Sequence, residues 1–196
     1  LQESKGLNVD ELATHLAPFQ VQRATIAALV ETFEHAKTFG SLIQIPYALK
    51  THLAVLPEVL AFTKHNGDMY ASAAGDDLSP LVQQAQVLAM QFDAVLANPP
   101  YMGGRYHTPL LKNFSKANFP DTKSDLFSIS AERFLDFAKP QGFVALMTPF
   151  TWMFLKSYES LRNLLLETKT FHSLIQPEYH AIWSSAAVPI CTFVIQ

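Results

Sequence analysis

Apolar positions recur along this chain with two alternating periods, and the changes of period predict its elements. Val9, Leu12 and Leu16 repeat at helical spacing behind Asn8 and Glu11, a capping-box pair, until Pro18 interrupts them. Val21, Ile26, Leu29, Val30 and Phe33 carry a second helix that stops near Gly40, a suitable C-terminal cap. Leu42, Ile43 and Ile45 read as a short strand before Pro46. From Tyr47 to His65 the pattern is helical again, with a kink or division expected at Pro57, and Asn66-Gly67-Asp68 reads as a turn. Ser79-Pro80 offers an N-cap followed by proline at the first helical position, which predicts a helix from Leu81 to Gln91.

The period then changes. Phe92-Asp93-Ala94-Val95-Leu96-Ala97 is short and apolar enough for a buried parallel strand. Met102 to Ser124, with its glycines, prolines and polar residues, reads as a long loop, and loops of that length inside a domain are usually functional. Asp125 reads as the cap of a helix running through Ala138, with orienting the preceding loop as the less favoured alternative, and Gln141-Gly142 turns the chain into Phe143 to Met147, a second buried strand. Phe150 to Glu167 reads as helix, and Phe171 to Ile175 and Ala187 to Ile195 as strands. These last two are open to antiparallel pairing across the Pro177 to Ser185 connection. Strands alternating with helices predict an α/β sheet with right-handed crossovers between its parallel neighbours. The chain is read as one domain, mainly helical over 1–91 and sheet-forming over 92–196.

Composition changes this picture little. With 196 residues, 49% of them apolar, the chain has enough material for a sizeable core. Only 16% are charged, so either much of it is buried or some apolar surface meets a neighbour. It opens on Leu1 rather than Met and stops inside a strand at Gln196, so both ends are expected to be cut. No leader pattern and no apolar run near the roughly 18 residues of a membrane span occurs, which predicts a cytoplasmic protein. Cys191, in an apolar strand, is expected to be an inert buried thiol. The seven histidines show no metal-ligand spacing, so no metal is expected. Trp152, Trp183 and the phenylalanines read as core or interface, and Asp93 as structural.

The chemistry concentrates in Asn98-Pro99-Pro100-Tyr101, directly after the Phe92 to Ala97 strand. Ligands of open α/β sheets bind beyond the carboxyl ends of strands, where this tetrad falls. Two successive prolines fix φ and delete two backbone donors, leaving a rigid corner rich in acceptors. An exocyclic purine amine is a poor nucleophile, because its lone pair is delocalised into the ring. The Asn98 side-chain oxygen and a tetrad carbonyl such as that of Pro99 would take its two N–H bonds. The lone pair would then face an electrophilic methyl group, with catalysis coming from positioning and electrostatics. A base inside duplex DNA must be flipped out to reach such a corner, and Tyr101 is placed to stack on it. The alternative is a plain turn of ordinary turn residues. With proline near 5% of average composition, an accidental match to all four is roughly a one-in-a-thousand event at this length.

At these residues the chain resembles amino-group methyltransferases whose fourth motif is Asn/Asp-Pro-Pro-Tyr/Phe. The run from Phe92 through Tyr101 to Met102-Gly103 is most similar to the adenine-specific DNA methyltransferases of bacterial phage-exclusion (BREX-type) defence systems. The likeness extends through Phe39-Gly40-Ser41-Leu42-Ile43, Lys123-Ser124-Asp125-Leu126-Phe127 and Gly142 to Pro149. It implies a partial class I S-adenosylmethionine-dependent methyltransferase (Rossmann-like) sheet with its first strands missing. It further implies S-adenosylmethionine as methyl donor, adenine N6 in DNA as acceptor, a place in phage defence or restriction-modification, and other defence-system proteins as partners. The chain departs from the family in having no Asp-Pro-x-Cys-Gly-Ser-Gly-like loop to wrap the cofactor, which is expected ahead of Leu1.

The net charge of −3 does not advertise a nucleic-acid face. Phosphate contacts would instead rest on Arg105, Lys112, Lys116 and Lys123, with Asp121 the sole acid of that loop; a merely solvated loop is the alternative. Thr148-Pro149-Phe150 ends the next strand beside the tetrad, which makes Phe150 either a pocket wall or a core residue. Two rival functions stay open: methyl transfer to a release-factor glutamine or ribosomal RNA guanine N2, and an inert interaction module.

Overall fold

The computed structural model describes residues 1–178 and 188–196, and these divide into two units, Leu1–Met90 and Gln91–Gln196. The Pro177 to Ser185 connection and Trp183 therefore lie partly or wholly outside the described residues.

The first unit is helical. Asn8 caps α1 (Val9–Leu16), its side chain accepting from the N–H groups of Asp10 and Glu11. After a 3-10 turn over Ala17–Phe19 come α2 (Arg23–Phe33) and α3 (Ala36–Phe39), the latter ending at Gly40 with φ +55°. The strand expected at Leu42 to Ile45 does not form. Gly40–Leu42 is a 3-10 turn, and Leu42, Ile43 and Ile45 are buried without strand pairing. Their apolar character marks core contact, which three residues alone cannot assign to strand or helix.

The helix expected from Tyr47 to His65 is divided into α4 (Tyr47–Lys50) and α5 (Leu56–Asn66), with Pro57 in the first turn of α5, where its missing N–H costs nothing. Asp68 then caps α6 (Met69–Ala89), accepting from Ala71 N–H at 2.8 Å. Ser79-Pro80 does not start a helix; α6 runs through it. Ser79 Oγ donates to the Gly75 carbonyl at 2.6 Å, and burial of Leu78, Leu81, Val82 and Ala85 outweighs the bond lost at Pro80. Gly75 allows α6 to lie on α5, because a Cβ there would stand 2.5 Å from Thr63 Oγ1.

The second unit is the sheet, β1 (Phe92–Ala97), β2 (Ala138–Pro149), β3 (Phe171–Ile175) and β4 (Ile190–Ile195), in the order β1-β2-β4-β3. β1 and β2 are parallel, while β4 is antiparallel to both β2 and β3, so β1, β2 and β3 all run the same way. Between β1 and β2 lie α7 (Pro109–Asn118) and α8 (Leu126–Phe137); α9 (Glu159–Thr168) follows β2. Val144, Leu146, Cys191, Phe193 and Ile195 bury one face of the sheet with Phe127 and Ala131 of α8, Leu161 and Leu165 of α9, and Trp152.

Four expectations for this unit do not hold. β1 is not buried: among the described residues it pairs only with β2, and Leu96 is 76% exposed. The 102–124 segment is not all loop, since Thr108 caps and Pro109 opens α7, whose apolar residues are few enough to hide the period. Phe150 to Glu167 is not one helix but two 3-10 turns, Phe150–Met153 and Lys156–Tyr158, ahead of α9. Gln141-Gly142 sits inside β2, where Gln141 has φ +66° and the register jumps from Phe92↔Ala138 to Ala94↔Phe143.

Candidate functional site

The register Ala97↔Leu146 brings the carboxyl ends of β1 and β2 side by side, and the tetrad grows out of the first of them. Asn98 is exposed, Pro99 is buried and Pro100 exposed, so the first proline anchors the corner and the asparagine faces outward. Tyr101 turns back over this corner. Its hydroxyl lies 2.9 Å from Asn98 Oδ1 and 3.3 Å from the Met147 carbonyl, donating towards both acceptors and tying the tetrad to the end of β2. The Tyr101 ring meets Phe127 edge-on, with centroids 6.3 Å apart, and Phe127 in turn packs on Tyr158. Burial first, and the nearby Cys191 second, push the Tyr101 phenol up, so it remains a neutral donor at physiological pH.

Behind Tyr101 the backbone is held on both sides. Met102 N–H donates to Asp125 Oδ1 at 3.0 Å, and the Met102 carbonyl accepts from Leu126 N–H at 2.9 Å. The same carbonyl lies 3.0 Å from the His107 ring nitrogen Nε2, and Gly104 N–H donates to the Ser124 carbonyl at 2.9 Å. Asp125 also caps α8 in a capping box with Ser128, its Oδ1 accepting from Phe127 N–H at 3.2 Å. Burial pushes the Asp125 carboxyl up; the N–H groups of Phe127 and Met102 and the nearby His107 offset part of that rise.

The four candidate phosphate contacts are exposed but not alike. Lys112 and Lys116 share one face of α7, and Lys123 lies in the segment leading to Asp125. Arg105 is engaged: its guanidinium stands 4.5 Å above the Tyr106 ring and donates to the Tyr106 hydroxyl at 2.6 Å. Phe150 is half-buried against the sheet core, packs on Phe154 with centroids 5.7 Å apart, and donates its N–H to the Pro189 carbonyl. Asp93 is exposed and paired with Lys139 at 3.0 Å. Cys191 is buried and accepts from Trp152 Nε1 at 3.3 Å. Among the described residues no helix is long and apolar enough to cross a membrane, and no three His, Cys, Asp or Glu side chains gather as a metal site.

Sequence reasoning missed Met147, His107 and Phe127 at this site. Met147 contributes only a backbone carbonyl, for which no side-chain pattern exists. Phe127 lies in the Lys123 to Phe127 run that carries the family likeness, and so had a signal; His107 is a lone histidine with none.

Comparison with known proteins gives the family of the chain. The chain is 43% identical over 158 residues to the adenine-specific methyltransferase BrxX of Escherichia coli O9:H4 (strain HS), covering 81% of the chain and 13% of that protein. It is 36% identical over 87 residues to the adenine-specific methyltransferase PglX of Lacticaseibacillus casei (strain Zhang), covering 44% of the chain and 7% of that protein. The chain thus spans a small part of the length of either relative. The model of the Eco57I restriction-modification methylases matches residues 8–183, nearly the whole of it, and the chain belongs to that family.

Proposed function

We propose that this chain supplies the acceptor side of the catalytic domain of an adenine-specific DNA methyltransferase acting in phage defence or restriction-modification. The observation that carries the reading is the acceptor-rich corner at the carboxyl end of β1, where Asn98 Oδ1 and the Met147 carbonyl already converge on one donor, the Tyr101 hydroxyl. Asn98 Oδ1 and the Pro99 carbonyl hold the two N–H bonds of a flipped adenine, leaving the nitrogen lone pair free to attack. Pro100 keeps that turn rigid, and Tyr101 stacks on the base. Phe150 adds an apolar wall. Arg105, Lys112, Lys116 and Lys123 meet phosphates beside the flipped nucleotide.

S-adenosylmethionine is the donor this reading requires, and it supplies an electrophilic methyl group. The residues present do not form its cradle: the chain has no glycine-rich strand-to-helix turn, and Gly103 and Gly104 are taken up in pairing with Asp125 and Ser124. No cofactor contact is therefore assigned to this chain. Other defence-system proteins are the partners expected of such an enzyme.

The test is chemical identification of the product. The protein carrying this chain is incubated with unmethylated DNA and labelled S-adenosylmethionine, and the modified nucleosides are separated by mass spectrometry. N6-methyladenine is the expected product; label in guanine, or nowhere while DNA is bound, overturns the reading.

A further inference from the structure

Asp125 makes one more bond than a helix cap needs. Capping α8 requires an acceptor for the N–H groups at its start, which Asp125 Oδ1 provides to Phe127 at 3.2 Å. The same oxygen also takes Met102 N–H, 23 residues away, at 3.0 Å. Met102 directly follows the tetrad, and its carbonyl is claimed by Leu126 N–H and faced by His107 Nε2. Both backbone polar groups of Met102 are thus fixed to the α8 start. On its other side Tyr101 follows two prolines, which hold the backbone by their rings.

We propose that Asp125 is a positioning residue for the tetrad: by holding Met102 N–H it keeps Tyr101 and Asn98 in place while a base is drawn against them. The inference rests on the adenine-methylating reading and deepens it. Tyr101 hangs between a proline pair and a clamped peptide, and its ring leans on Phe127, whose N–H the same carboxylate oxygen holds. A displacement of about 1 Å at a reacting centre costs on the order of 100-fold in rate, so a bond fixing the residue after the tetrad acts on turnover more than on DNA affinity.

Three substitutions separate the tether from the cap. Asp125→Asn keeps an oxygen at the position of Oδ1 and so both bonds. Asp125→Ser keeps a capping oxygen but, one bond shorter, loses Met102. Asp125→Ala loses both. In the full-length protein the Asn variant is expected to retain kcat within about threefold. The Ser variant is expected to lose about tenfold or more in kcat with KM for DNA little changed, while its unfolding midpoint stays near that of the Asn variant. Amide hydrogen exchange at Met102 should quicken in the Ser and Ala variants and not in the Asn variant.

Equal turnover in folded Ser and Asn variants makes Asp125 a cap only and overturns the proposal. So does an Asn variant as impaired as Ala. If the wild-type protein methylates no adenine, the functional reading fails by itself, and exchange at Met102 still decides the tether.

Discussion

On the proposed reading Tyr101 combines two roles that substitution separates. Its ring, which rests on Phe127, would stack on the base, whereas its hydroxyl spans Asn98 Oδ1 and the Met147 carbonyl. Tyr101→Phe removes only the hydroxyl contacts. A net hydrogen bond is worth about 0.5–1.5 kcal/mol, so the loss in kcat/KM should stay near tenfold or below. Tyr101→Ala also removes stacking, worth about 1–3 kcal/mol, and a further roughly 5- to 150-fold loss is expected in methylation kinetics. Equal losses in the two variants would remove the ring from the reaction.

Glu132 lies away from the tetrad and carries a prediction about stability. Burial first pushes its carboxyl up; Thr122 donates to it at 2.5 Å and offsets part of the rise, while Asp121 and Asp136 add to it. A carboxyl whose folded pKa is raised holds its proton more tightly in the folded state. The charged form therefore weakens the fold at neutral pH, and the penalty fades as pH falls through the raised value towards the ordinary carboxylate range. Glu132→Gln keeps an acceptor for Thr122 without the charge. Its unfolding midpoint should exceed that of wild type near neutral pH, with the gap closing in acid. A gap independent of pH would contradict the assignment.

Among the elements, the irregularity at the foot of β2 is the one most sensitive to a single atom. A Cβ at Gly142 would stand 2.9 Å from the Phe92 carbonyl oxygen and 3.0 Å from that of Lys139, both backbone atoms that cannot swing aside. Gly142→Ala is expected to destabilise the sheet by about 1–3 kcal/mol, read as a lowered unfolding midpoint, and to loosen the β1–β2 register beneath the tetrad. An unchanged midpoint would show that the two strands do not approach this closely.

The same elements show what the sequence could reveal. β1, β3 and the cap on α8 were legible because each is specified by contiguous residues: an apolar run, or a capping residue directly before a helix. Ser79-Pro80 misled because a local start signal is outweighed when the flanking residues are buried along one helix face. α7 was hidden because its glycine-rich approach reads as loop and its apolar residues are few. At the site, the tetrad was legible as a contiguous motif. The Tyr101 to Met147 and Met102 to Asp125 bonds were not, since they join residues 46 and 23 apart and each uses a backbone atom that leaves no mark in the pattern.

At the scale of the whole molecule, the chain belongs to a methylase family but spans only 13% of the BrxX relative, so the proposed reaction is that of the protein carrying it. With a net charge of −3, the proposed reading assigns DNA affinity to local cations such as Lys112 and Lys116 on α7, and chemistry on a delivered base to the tetrad. Activity and DNA binding should therefore separate on mutation. The most direct measurement is methyl transfer to DNA by the full-length protein and its Asn98→Ala variant, with binding followed in parallel. Losing a preorganised hydrogen-bonding group at a reacting centre costs on the order of 100- to 1,000-fold in turnover. The expected result is N6-methyladenine from wild type, a loss of at least about 100-fold in the variant, and DNA affinity nearly unchanged. N6-methyladenine formed equally by both would contradict the placement of the reacting amine at Asn98.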